Sequence, residues 1–239
     1  MKAYTDTLQT KTEALASMKK HREADKLVKG KYWESGKGCA VGCQYHAFKN
    51  DNDTSYHSPS ERVHGIPRAL AYLEDRIFEG LPNAQAQKWP ERFLKAIPVG
   101  ADLSNVINEL MYWLMTDKDG IQKHARPDRL KAIKQVAGLY KKRLAGKEPS
   151  VKEWEKARQD AADAAYAAYA AYAAADADAA AYAADAAYAA AYAAYAADAA
   201  DAAYAAAYAA DARSGYYKRI ADKLIEILKL APTNGSNSL

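Results

Sequence analysis

The chain has 239 residues, half of them apolar, and a net charge of +4, so it is long enough to bury the core of one large domain or two small ones. It carries two cysteines only four residues apart, which excludes the disulfide-rich class of secreted protein. No stretch resembles a membrane span or an apolar leader, so we expect a cytoplasmic protein with reduced thiols.

The predicted elements are helices throughout. Apolar residues at helical spacing predict an amphipathic helix over residues 7–29. The apolar segment 103–115 predicts a buried helix, and the spacing of apolar residues over 220–228 predicts another. Three more helices are predicted to begin at prolines, which suit the first helical turn: Pro67, Pro90 and Pro127. No convincing alternating strand pattern occurs, so the predicted class is all-α, a helical body plus a long Ala/Tyr/Asp-rich helix or helical hairpin.

Two cysteines and a histidine follow a Gly-Lys-Gly turn. If that segment is helical, Cys39, Cys43 and His46 lie at positions i, i+4 and i+7 of one face. This spacing can offer three ligands to zinc, and His57 or His64 could supply a fourth. The candidate zinc ligands are therefore Cys39, Cys43, His46 and His64. Core packing of two small apolar cysteines is the simpler interpretation of the same pattern.

A third interpretation makes Cys39 a catalytic nucleophile. The dipole of a helix beginning at this residue, together with the charge of Lys37, would lower the pKa of the thiol and favour the thiolate. Among the histidines that could act as the base, His46 is the candidate nearest in sequence. The sequence specifies no third, orienting residue for a triad.

Charged residues outside the alanine-rich region suggest surface contacts. The helix expected after Pro127 is strongly cationic, and its basic face is interpreted either as solvated or as a contact to nucleic acid or an acidic protein. A nucleic-acid contact would use Arg126, Arg129, Lys134 and Lys141. The adjacent carboxylates Glu74 and Asp75, next to Arg76, are interpreted as members of helix salt bridges.

Residues 160–212, the Ala/Tyr/Asp tract, contain only 36 alanines, nine tyrosines and eight aspartates. Alanine is the strongest helix former, so long helix is expected. The other residues recur about every 3.2 positions, which is shorter than the 3.6-residue turn, so they wind around one long helix unless the tract folds back near Asp176 and Asp178. The tract carries −8, and the rest of the chain carries +12. Such a surface suits a protein partner or a second copy, with candidate anchors Tyr188, Tyr192, Tyr195 and Tyr204.

Three parts of the chain are expected from these patterns. Residues 1–149 form a basic helical body with the Cys/His motif, and residues 150–231 form the alanine-rich helical segment. Ser150 and Glu153 have the spacing of a capping box that would start this second part. Residues 232–239 are expected to be a disordered tail.

The block GKGCAVGC, within YWESGKGCAVGCQYH at 32–46 and followed by HGIPRALAYLEDRIFEGLP at 64–82, resembles uncharacterised proteins of phages, prophages and bacteria over roughly residues 32–100. The tract resembles alanine-rich segments of immunity-type proteins from bacterial toxin systems. These resemblances imply a mobile-element setting and an inhibitor or immunity role in the host cytoplasm. The leading hypothesis is a non-enzymatic protein-interaction module, a phage-encoded inhibitor of a host defence or toxin system. The alternatives are a Cys/His-centred enzyme or metal-dependent hydrolase, and a nucleic-acid-binding protein that uses the basic body.

Overall fold

Helices form most of the chain that the structure describes, so the predicted all-α class is confirmed. The structure, a computed structural model, describes residues 2–53, 55–119, 121–124, 127–166 and 209–233. The helices are α1 Lys11–Glu23, α2 Ala40–Tyr45, α3 Pro59–His64, α4 Arg68–Gly80, α5 Asn83–Ala86, α6 Trp89–Ala96, α7 Val106–Thr116, α8 Pro127–Leu144, α9 Val151–Tyr166 and α10 Ala209–Leu230. Short 3-10 helices occupy His46–Phe48 and Ile121–His124.

The chain divides into two compact units, one of Met1–Val106 with Arg213–Leu239 and one of Ile107–Ala212. The division expected at residues 149 and 231 stays a prediction. None of the helices in the described ranges is long and apolar enough to cross a membrane.

Helix α1 is shorter than the predicted 7–29 because both of its ends are fixed locally. Thr10 and Glu13 form a capping box, in which the Thr10 hydroxyl accepts from the Glu13 amide and the Glu13 carboxylate accepts from the Thr10 amide. The helix ends at Glu23, and two residues later Asp25 takes a left-handed conformation with φ of 52°. The chain beyond it can therefore turn away instead of continuing the helix.

A small hairpin follows, which the sequence did not predict. Strands β1 Trp33–Glu34 and β2 Lys37–Gly38 pair antiparallel, with Trp33 opposite Gly38. The two residues of the turn, Ser35 and Gly36, both have positive φ, as the tightest hairpin turns require. Its function in the fold is to deliver the chain to the start of α2.

The core of the first unit lies between α1, α2, α4 and α6, where α1 packs on α6 and α2, and α4 packs on α2 and α6. Prolines open two of these helices as predicted: Pro67 is the residue before α4, and Pro90 is the second residue of α6. The side chain of Trp89 is fully buried, and its Nε1 donates to the Glu74 carbonyl oxygen at 3.0 Å.

Helix α10 contributes to the same unit from the far end of the sequence. The predicted apolar stripe is confirmed, since its members are buried: Ile220, Leu224, Ile227 and Leu228. The ring of Tyr217 packs so closely on Gly80 that a Cβ there would lie 2.3 Å from it. Farther along, Arg92 of α6 pairs with Asp222 at 2.6 Å.

In the second unit, α8 and α9 form a helical hairpin. The predicted capping box is confirmed, with the Ser150 amide donating to the Glu153 carboxylate at 2.9 Å and the Glu153 amide donating to the Ser150 hydroxyl at 3.3 Å. The rings of Tyr140 and Trp154 meet edge to face at 5.3 Å between the helices. Helix α9 enters the tract as far as Tyr166, and the proposed fold-back near Asp176 and Asp178 lies outside the described residues.

Candidate functional site

Two glycines, one in β2 and one in α2, set the position of α2 by direct backbone contact. A Cβ added to Gly38 would lie 2.1 Å from the carbonyl oxygen of Tyr32, and one added to Gly42 would lie 1.6 Å from it. Both distances are far below any real contact, so only glycine allows β2 and α2 to pass so close to the backbone of Tyr32. Cys39 then caps α2, because its Sγ accepts a hydrogen bond from the Gly42 amide at 3.4 Å.

The environment of Cys39 is opposite to the one expected for a nucleophile. Its side chain is buried, and burial together with the adjacent Asp75 carboxylate raises the pKa of the thiol. Lys37, which was expected to favour the thiolate, is exposed, and α2 has only six residues. The predicted lowering of the Cys39 pKa is therefore wrong, because desolvation and a neighbouring anion outweigh the helix dipole.

The positions of the groups around Asp75 also argue against Cys39 as a nucleophile. Its carboxylate lies beside Cys39 on one side, while its Oδ2 is 3.6 Å from Nε2 of His57 on the other. A nucleophilic triad places the base next to the thiol and the acid behind the base. Here the acid is next to the thiol, so these groups do not follow the order of a triad.

The other candidate base, His46, is engaged elsewhere. Its ring stacks on Trp33 with centroids 3.4 Å apart, and its Nδ1 bonds to the Gly42 carbonyl oxygen at 3.0 Å. Helix α2 ends at Tyr45, and His46 starts a 3-10 helix. The continuous helical face assumed for Cys39 and His46 is therefore absent from this segment.

The candidate zinc ligands Cys39, Cys43, His46 and His64 do not form a metal-ready group. The described residues contain no set of three or more His, Cys, Asp or Glu side chains that could hold a metal ion. The Cys43 thiol donates instead to the carbonyl oxygens of Gly38 at 3.5 Å and Lys26 at 3.7 Å. Burial raises its pKa to about 12. Both cysteines thus have the core-packing role that was the simplest interpretation of their spacing.

His64 has a different function, in the buried core. Its Nδ1 lies 3.1 Å from the Tyr45 hydroxyl and its Nε2 lies 2.7 Å from Oε1 of Gln9. The Gln9 oxygen can only accept, so Nε2 carries the proton and Nδ1 accepts from Tyr45, which describes a neutral ring. Desolvation lowers the pKa of His64 to about 3.

Glu74 is the residue that the sequence interpretation placed wrongly. It is fully buried and has no salt bridge among the described residues. Nε2 of the buried Gln44 donates to Glu74 Oε1, while Glu74 Oε2 and Gln44 Oε1 have no partner in the described part of the chain. Burial raises the pKa of Glu74 well above its usual value. Protonation would give the Glu74 carboxyl a hydrogen to donate, which the ionised carboxylate lacks.

Signals for Glu74 were present in the sequence. It occupies a position of the apolar stripe of α4 whose other members are buried: Leu70, Ala71, Ile77 and Phe78. A carboxylate in a core stripe costs free energy unless it is protonated or paired. The proximity of Gln44, by contrast, comes from the packing of α2 on α4 and has no local signal.

Above this buried cluster lies a surface of stacked rings, which we call the Tyr56–Tyr72 surface and which consists of Tyr32, Tyr56, His57 and Tyr72. Tyr32 and Tyr56 stack at 4.1 Å, and His57 and Tyr72 stack at 3.7 Å. Tyr56 is 53% exposed and Tyr72 is 36% exposed. Lys49 lies over the Tyr56 ring at 5.6 Å from its centroid. The stacked partners hold two large exposed rings in defined orientations.

The remaining candidate residues belong to other regions. Lys134 and Lys141 are exposed on α8, whereas Arg126 and the side chain of Arg129 lie outside the described part of the structure. The candidate anchors of the tract also lie outside the described residues: Tyr188, Tyr192, Tyr195 and Tyr204. Comparison with family models, with curated proteins and with solved structures finds no match to this chain.

Proposed function

We propose that this chain is a non-enzymatic protein-interaction module, of the kind a phage encodes to inhibit a host defence or toxin system, acting in the host cytoplasm. The observation that carries the proposal is the Tyr56–Tyr72 surface, where two exposed tyrosines are already stacked on neighbouring rings. This surface lies within the block, roughly residues 32–100, on which the proposed phage setting rests.

Stacked tyrosines are well suited to protein recognition. Tyrosine is enriched at the energetic centres of interfaces because one ring buries much apolar area while its hydroxyl still bonds to water or a partner. A ring already held by Tyr32 or His57 loses little further freedom when a partner binds. The same surface therefore offers contact area at a low entropic cost.

The chemistry of the cluster below favours a binding function over the rival enzyme. A thiol nucleophile needs a lowered pKa, and burial and Asp75 raise that of Cys39. We expect Cys39→Ser to change stability slightly and to leave partner binding unaltered. Loss of a measurable hydrolytic activity in this variant, or zinc found by elemental analysis of the purified protein, would favour the enzyme instead.

The test is capture of bacterial partners by the tagged full-length chain. We expect the double variant Tyr56→Ala with Tyr72→Ala to lose a partner that the natural sequence retains, because both exposed rings are removed. Tyr72→Phe, which keeps the ring, and Leu8→Ala, which removes a side chain that is 59% exposed elsewhere, should retain it.

A second variant distinguishes this surface from the tract. In it the four candidate anchors are replaced by alanine: Tyr188, Tyr192, Tyr195 and Tyr204. Loss of the partner only in this variant would place the interface in the tract and overturn the role of the Tyr56–Tyr72 surface. Retention of every partner and of the oligomeric state by both variants would overturn the interaction proposal itself.

A further inference from the structure

The described cationic side chains of α8 fall into two groups. Lys142 pairs with Glu153 of α9, and Arg143 pairs with Glu148 at 3.1 Å, so these two are used within the hairpin. Three others are exposed and form no ion pair with any described residue: Lys131, Lys134 and Lys141. Among the described side chains of α8, they are the cations that remain available to a partner.

These three lysines share one face of α8. Their steps of three and seven residues keep them on one side of a 3.6-residue helix, opposite the fully buried Tyr140. Ten residues separate the first from the last, so the row is about 15 Å long at 1.5 Å per residue. We call Lys131, Lys134, Gly138 and Lys141 the lysine row.

The contacts of Asp160 show how the row interacts with a nearby anion. Its carboxylate is bound by Lys156 of its own helix at 3.1 Å, and its pKa is lowered first by that bond, then by Gln135, and to a smaller extent by Lys131. Lys131 thus contributes to the potential around Asp160 without being its ion-pair partner. The row as a whole keeps its positive charge facing solvent.

Gly138 opens the centre of the row. It is exposed, and a Cβ added there would have nothing within 4 Å. Between Lys134 and Lys141 the helix backbone is therefore uncovered. An anion can approach the helix axis more closely at this point than it could beside any larger residue.

An acidic partner of the row could be a protein or a nucleic acid, and the side chains of the row favour the nucleic acid. Protein interfaces are depleted in lysine and depend on aromatic and other large apolar anchors. None of the described α8 side chains is an exposed large apolar group. Lysines that act as point charges are instead typical of contacts to phosphate. Such contacts fix the position of a protein on the nucleic acid without recognising the base sequence.

We propose that the lysine row binds the phosphate backbone of nucleic acid independently of base sequence. This inference goes beyond the proposed protein interaction, which uses a different surface. Three phosphate contacts predict that the logarithm of the binding constant falls against that of salt with a slope of roughly −2.7, or about 40-fold weaker binding between about 50 and 200 mM salt.

The experiment is fluorescence anisotropy of the full-length chain with labelled duplex DNA of about 20 base pairs over that salt range. The triple variant K131Q, K134Q and K141Q should lose most of the affinity and most of the salt slope. The matched control is Lys19→Gln, which removes a lysine of α1 whose side chain is 61% exposed but paired with Glu23, and it should bind as the natural sequence does. Circular dichroism would confirm that the exposed substitutions leave the helices formed.

A second pair of variants tests the centre of the row. Gly138→Glu should weaken binding more than Gly138→Ala, because both add a Cβ into open space but only one adds a negative charge. Absent DNA binding at low salt, or an unchanged salt slope in the triple variant, would overturn the proposal. Equal binding of a poly-glutamate peptide would also overturn it, since the row would then be a general acidic-protein contact. Single-stranded DNA in parallel shows which form of the backbone is preferred.

Discussion

The two units differ in where they place ionisable side chains. In the first unit Glu74 and His64 are buried, and burial holds each in its neutral form. In the second unit, the described lysines of α8 lie at the surface, either paired across the hairpin or open to solvent. A buried ionisable group makes the free energy of unfolding depend on pH, whereas a surface row of lysines makes binding depend on salt.

The largest expected effect tests whether close packing is confined to the first unit. Gly42→Ala places a Cβ 1.6 Å from the Tyr32 carbonyl oxygen, so α2 must move, and we expect a loss of about 3 kcal/mol or more in the free energy of unfolding. Gly138→Ala meets nothing within 4 Å and should stabilise α8 by up to about 1 kcal/mol.

Urea denaturation gives the sign and size of each change, and hydrogen exchange in peptides from α2 and α8 locates it. Equal and small effects at both glycines would show that the two sites accept an added Cβ equally well. That result would contradict the expected difference in packing between the two units.

The next prediction concerns opposing proton linkages within the first unit. The folded pKa of Glu74 is raised, so the native state keeps a proton that the unfolded chain releases above pH about 4.5, and stability from this group falls as pH rises. The folded pKa of His64 is about 3, so the unfolded chain binds a proton below pH about 6.5 that the native state excludes, and stability from this group is lost as pH falls toward 3. Between about pH 4.5 and 6.5 the two contributions oppose each other.

Glu74→Gln removes one of these contributions while keeping a neutral, hydrogen-bonding side chain. Its free energy of unfolding, relative to the natural sequence, should rise with pH above about pH 4.5, by at most about 1.4 kcal/mol per pH unit. His64→Gln should show the opposite relative slope below about pH 6.5. Urea titrations at several pH values measure both, and a pH-independent difference for Glu74→Gln would mean that Glu74 is ionised in the native state.

The smallest expected effect concerns the capping box, a feature that occurs in both units. Thr10 and Glu13 form a capping box in the first unit, and Ser150 and Glu153 form one in the second. Thr10→Ala and Ser150→Ala should each cost about 1 kcal/mol, because each leaves one helical amide without its acceptor. Thermal denaturation compares them, and a markedly unequal cost would show that capping, too, depends on the unit in which it occurs.

Much of the helical framework could be predicted from the sequence because its signals are local. Prolines and apolar periodicity indicated α4, α6, α8 and α10, and the Ser150 capping box was read directly. The hairpin before α2 was missed because strands of two residues are too short to show an alternating pattern.

The candidate site could be predicted only in part, because its chemistry depends on contacts between distant segments. Cys39 was expected at the start of a helix, but the approach of Asp75, which raises the pKa of the thiol, follows from the packing of α2 on α4. The stacking of Tyr56 on Tyr32 likewise joins residues more than twenty positions apart. Glu74 is the exception, since its place in an apolar stripe was visible and was interpreted as an ordinary salt-bridge residue.

The protected state of the native thiols has a practical consequence for spectroscopy. Cys39 and Cys43 are both buried, and the pKa of each is raised, so neither presents thiolate to a maleimide or a spin label. A cysteine introduced at an exposed position, such as Tyr56 or Lys134, would then be the dominant reactive group of the folded chain. The natural sequence is therefore a suitable background for site-specific labelling, without prior removal of the two cysteines that α2 needs for its packing.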